Sequence, residues 1–108
     1  MTKSEFKKQL YRRKDHFIYL LIDKCEDNKD ADATQWRDGF GNVDLFNDFQ
    51  HIALDLADEV LYQIVGEILG DADPLEFDEE IQQFRFEAID ATFADSRYKA
   101  ILKGREES

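Results

Sequence analysis

An all-α fold, a single compact bundle of three long helices with a short fourth at the C-terminus as a variant, is the class this sequence predicts. Three observations carry it. Apolar residues recur at a spacing close to 3.6 almost throughout. Only one Pro and five Gly interrupt the 108 residues. The 43% hydrophobic content, with nine Phe, four Tyr and one Trp, supplies enough core for one domain of this length despite the high charge.

The first helix is expected over residues 3–27. Thr2 offers a capping hydroxyl and Glu5, three residues on, the second half of a capping box. Phe6, Leu10, Phe17, Leu20, Leu21 and Cys25 form its inner face. Periodicity is then lost over residues 28–42, which read as a loop. It is long for a bundle connection, and Trp36 and Phe40 beside Arg37 have the composition of a contact site.

The second helix is expected over residues 43–69, capped by Asn42 or Asp44 and stopped by Gly70. Leu45, Phe49, Ile52, Leu56, Val60, Leu61, Ile64 and Ile68 wrap more than half its circumference, as suits a helix packed between two others. The third helix opens on Asp73-Pro74-Leu75-Glu76, with a capping carboxylate, Pro at the first helical position and Glu in the first turn. It runs either over residues 74–103 or breaks near Asp95-Ser96 and resumes. Phe77, Ile81, Phe84, Ala88, Ala91 and Leu102 share one face. Phe86, Ile89 and Phe93 form a second apolar stripe nearly opposite, to be covered by a fourth element of the chain or by another polypeptide, most simply in a homodimer.

Charge is distributed unevenly. Residues 44–95 hold fifteen carboxylates against the lone Arg85, a net −14, whereas residues 1–14 hold six Lys and Arg against Glu5, a net +5. The whole chain is at −11, with a pI near 4.5. Such a surface repels nucleic acid and anionic membrane and favours a basic protein partner. One Cys closes no intramolecular disulfide, and no apolar run approaches the roughly 20 residues of a membrane span, so a cytoplasmic location is expected. The basic N-terminal turns are expected to find compensating carboxylates within the molecule or on a neighbour.

The candidate partner-binding surface is the narrow acidic stripe on the second helix, Asp44, Asp48, Asp55, Asp58 and Glu59 with Tyr62 beside them, joined by Trp36 and Phe40 of the loop. Positions 44, 48, 55 and 59 lie on one side, in steps of about 6 and 10 Å. Rows of carboxylates at such intervals can occupy a cationic groove meant for nucleic-acid phosphates. Ordinary soluble helices also turn Asp and Glu to water, but typical surfaces mix both signs, and here they do not. In size and charge the chain is similar to toxin immunity proteins, nuclease inhibitors and DNA-mimic proteins that block nucleic-acid-binding defence enzymes.

Three pairs, Asp55/Asp58, Glu76/Glu79 and Glu87/Asp90, put two carboxylates one helical turn apart. The arrangement resembles the paired acidic motifs of the all-helical nucleotide pyrophosphohydrolases, a resemblance that implies Mg²⁺-dependent hydrolysis of nucleoside triphosphates. Only seven residues separate the last two pairs, too few to place them on separate antiparallel helices. A di-iron bundle needs two Glu-x-x-His pairs, and the chain offers only the approximate Asp48-Phe-Gln-His51, with His16 as its other histidine. Both histidines read as surface residues, Cys25 as core, and Gly39-Phe-Gly41 as a turn without phosphate-loop spacing. No catalytic residue, metal ligand or cofactor is assigned.

Overall fold

A computed structural model describes residues 1–30 and 49–106, and they contain helices and no strand. Among the described residues five α-helices follow in order: α1 Lys3–Arg12, α2 Lys14–Asp27, α3 Phe49–Leu69, α4 Asp78–Ala94 and α5 Ser96–Glu106, with a 3₁₀ turn Pro74–Phe77 leading into α4. Trp36, Phe40, Asp44 and Asp48, together with all but the first residues of the expected 28–42 loop, lie outside the described residues.

The first helix departs from expectation by breaking at Arg13 (φ −97°, ψ 9°). Thr2 caps α1, its Oγ1 accepting from the Glu5 amide at 3.1 Å. At the break the Arg13 amide turns to the Leu10 carbonyl at 3.0 Å. The Arg13 guanidinium then donates to the Gln9 carbonyl at 2.9 Å, supplying a partner that a continuous helix draws from its backbone. Neither Gly nor Pro marks the site, which is why periodicity alone runs through it.

Gly70 ends α3 in the left-handed region (φ +57°), where a side chain is strained and glycine is not. Asp73 Oδ1 accepts from the Leu75 amide at 3.0 Å to cap the turn that follows. The third long helix is also two. Asp95 takes an extended conformation (φ −71°, ψ 137°) that closes α4, and its Oδ1 accepts from the Arg97 amide at 2.8 Å to start α5.

The core runs through all five helices. Phe6, Leu10, Phe17, Leu21, Cys25, Ile52, Val60, Ile64 and Phe84 have no exposed surface. Phe84 meets Tyr11 and Phe17 edge-on, with ring centroids 5.3 and 5.5 Å away, and Phe6 stacks on Phe77 at 4.5 Å. At the other end, Tyr98 of α5 lies between Phe93 (4.8 Å) and Phe49 (6.5 Å), and the Arg105 guanidinium sits 4.4 Å over the Phe49 ring. Arg105 also donates to the Lys29 carbonyl, tying α5 to the end of α2.

The Asp95 cap makes a pH-dependent contribution. Hydrogen bonds from the Arg97 side chain and then its backbone hold the Asp95 carboxyl at about 2, below its ordinary 3.8. A carboxyl depressed by folding stabilises the folded state above its ordinary pKa, and that contribution is lost as pH falls toward the folded value. Asp95→Ala is therefore expected to melt at a lower temperature than the parent at neutral pH. The gap should narrow between about pH 4 and pH 2 in calorimetric scans, and a gap independent of pH would remove the cap from the account.

Candidate functional site

The acidic stripe on α3 is partly neutralised from within the molecule. Asp58 accepts from Arg85 Nε of α4 at 2.7 Å, and Glu59 lies 3.6 Å from Lys24 Nζ of α2. Asp55 is half-buried, whereas Tyr62 is 83% exposed. Of the surface expected from the sequence, α3 thus carries Asp55, Asp58, Glu59 and Tyr62, and Asp58 and Glu59 each face a cation.

A second acidic surface, which a stripe drawn along one helix missed, lies where α3 turns into α4. Glu67, Asp71, Asp73, Glu76, Asp78 and Glu79 are all exposed, and Glu80 is half-buried. None of the seven forms an ion pair among the described residues. Glu80 Oε2 is buried without a hydrogen-bond partner among the described residues. Asp78, Glu79 and Glu80 occupy the first turn of α4, where the helix dipole favours them. Glu67 occupies the last turn of α3, the end where the dipole disfavours a carboxylate by about 0.3–1 kcal/mol, and no basic residue shares that turn. The signal was present in the sequence as the unbroken absence of Lys and Arg from residues 38–84.

Against this surface lies a groove of about 490 Å³, lined by Leu61, Tyr62, Val65, Leu69, Pro74 and Ile81, with Gly66, Gly70 and Ala72 along it and Asp58 at one edge. A second cavity of about 350 Å³, between the end of α2 and α5, is lined by charges of both signs: Glu26, Asp30, Lys29, Arg97 and Arg105. Lys29 and Arg97 are there already paired with Glu26 and Asp95, at 3.1 and 2.9 Å.

Lys3, Lys7, Lys8, Arg12, Arg13 and Lys14 form no ion pair among the described residues. The compensation expected within the molecule is thus not made by ion pairs among the described residues; Lys7 Nζ lies 5.8 Å from the Tyr11 ring centroid, and the Arg13 guanidinium bonds the Gln9 carbonyl.

The apolar stripe expected to face another subunit is not continuous. Ile89 is buried in the core and Phe93 packs under Tyr98, so α5 folds back over it and only Phe86 remains exposed, at 75%. The break at Asp95 is the reason: it lets the chain reverse at the end of α4.

Two of the paired carboxylates are engaged by other groups, Asp58 by Arg85 and Glu87 by Tyr11. Tyr11 donates its hydroxyl to Glu87, and burial, then the Glu87 carboxylate, push that hydroxyl up to about 12, so it stays protonated and remains a donor. Among the described residues no group of three or more His, Cys, Asp or Glu is disposed to hold a metal ion. His16 is exposed and His51 half-buried. Cys25 is fully buried, and burial pushes its thiol up to about 12, leaving little thiolate at neutral pH for nucleophilic chemistry.

No helix among the described residues is long and apolar enough to cross a membrane. The sequence matches no family model, no curated protein and no solved structure.

Proposed function

We propose that this protein binds and neutralises a cationic protein, of the kind that handles nucleic acid, and that it does so with the carboxylates gathered where α3 turns into α4. One observation carries the reading: Glu67, Asp71, Glu76, Asp78 and Glu79 are all exposed and form no ion pair among the described residues, while Asp58 and Glu59 each face a cation. Like charges held this close cost a few tenths of a kcal/mol per neighbouring pair, roughly, and a basic partner relieves that cost on binding. A field of one sign also steers a partner of the other, raising the association rate at low salt. Asp55 and Tyr62 on α3 extend the surface toward the original stripe. The activity is occlusion: the carboxylates take the place of phosphates in a basic groove, and no catalytic step or cofactor is involved.

The test is retention of basic proteins on the immobilised chain. In a lysate of the source cells, basic nucleic-acid-handling proteins should be held at about 50 mM salt and released by about 500 mM. The triple reversal Glu67→Lys, Asp71→Lys, Glu79→Lys should cut retention by about tenfold or more while the far-ultraviolet dichroism stays unchanged. Retention that survives the reversal would remove this surface from the function.

A further inference from the structure

We propose that the groove between the second half of α3 and the Ala72–Ile81 segment takes the apolar face of a basic amphipathic helix from the partner. The inference rests on the reading of a cationic partner and adds the form in which that partner docks.

The walls are apolar where the occupant sits and acidic where it emerges. Leu61, Val65 and Leu69 step along α3 at intervals of four residues, with Ile81 and Pro74 on the facing side. The three α3 residues span about 12 Å, close to the 10.5 Å between positions i and i+7 of a helix laid alongside. Tyr62, 83% exposed, stands at the rim. Glu67, Asp71, Asp73 and Glu76 are exposed and within two residues of a lining position, so cations flanking the occupant's apolar face meet carboxylates.

Two further observations select a helix and a foreign one. The described residues contain no strand, so no sheet edge is offered to an extended segment. An extended peptide pressed onto these side chains leaves backbone groups unpaired, whereas a helix satisfies its own. A second copy of this chain is a poor occupant: its basic helices are α1 and α5, and their apolar residues Phe6, Leu10, Tyr98 and Ile101 are buried in its own core.

Gly66 makes the groove testable. A Cβ built there meets nothing within 4 Å, so a larger side chain enters the open space rather than the core. The probe is a synthetic Lys/Leu peptide with Leu at i, i+3, i+4 and i+7, compared by fluorescence anisotropy with a scrambled isomer of identical composition, on the full chain at low salt. The amphipathic peptide should bind about tenfold tighter than its isomer. Gly66→Leu should abolish that difference and leave binding of the isomer unchanged. Tyr62→Ala, at an exposed position, should shrink the same difference, and it serves as the second variant if Gly66→Leu fails to fold.

Equal affinity for the two isomers would overturn the groove and leave the charge reading standing. Binding of neither at low salt would sink both. A Gln/Leu peptide binding as tightly as the Lys/Leu one would overturn the basic character of the occupant. A parent protein that light scattering shows to be dimeric, and that Gly66→Leu makes monomeric, would assign the groove to a second copy and overturn the proposal.

Discussion

Phe84→Ala is expected to remove about 3–5 kcal/mol of folding stability, the range for truncating a large aromatic side chain in a packed core. Phe84 has no exposed surface and contacts both halves of the broken first helix. Its ring takes Tyr11 of α1 on one edge and Phe17 of α2 on another, at interplanar angles of 81° and 82°. Such edge-to-face pairs add about 0.5–1.5 kcal/mol beyond the area they bury. The cavity left by Ala cannot close easily, because the rings around it belong to two different helices, α1 and α2. A domain of this size has only about 5–15 kcal/mol in hand, so the variant should be close to its unfolding midpoint in mild urea. Dichroism during urea titration measures the loss, and Phe84→Leu should recover most of it. A loss below about 1 kcal/mol would show that α1 and α2 are held by something other than this aromatic cluster.

The sequence displayed the helical class of this protein because the signals for it are local. Periodicity near 3.6, the Thr2 cap and the Gly70 stop each depend on residues a few positions apart, and the Thr2 hydroxyl and the positive φ of Gly70 are in place. The Asp73-Pro74 start is in place too, although it opens a 3₁₀ turn before α4 rather than the helix itself. The break at Arg13 was not legible. It depends on a guanidinium finding the Gln9 carbonyl, and nothing in the identity of Arg13 distinguishes it from Arg12.

The candidate site was half legible for the same reason. A helical wheel shows which carboxylates share a helix face, and it puts Asp55, Asp58 and Glu59 on one side of α3. It cannot show which cations approach from other helices, and Lys24 and Arg85 do so from α2 and α4. It also cannot join the end of one helix to the start of the next, so the surface made by Glu67 and Asp71 with Glu76 and Glu79 went unremarked. The groove beside it needs α3 and the Ala72–Ile81 segment packed together before it exists at all.

Tyr98→Ala is expected to cost about 3 kcal/mol or more and, unlike Phe84→Ala, to change how the protein associates. Tyr98 is 3% exposed and sandwiched between Phe93 and Phe49, so its ring is what holds α5 against the ends of α4 and α3. Without it, Ile101 and the Arg105 contact with Phe49 are the main apolar attachments left to α5, and the helix is expected to detach while α1–α4 remain folded. Phe93 then becomes accessible two turns along α4 from the already exposed Phe86, enlarging the apolar stripe on that helix. An exposed stripe of that kind associates. Light scattering on Tyr98→Ala should therefore report a mass that grows with concentration and exceeds that of the parent, and adding Phe86→Ser should reverse the growth. If the single variant is destabilised but no more associated than the parent, α5 stabilises the core without shielding the stripe. If it is neither, the sandwich does not hold α5 in place.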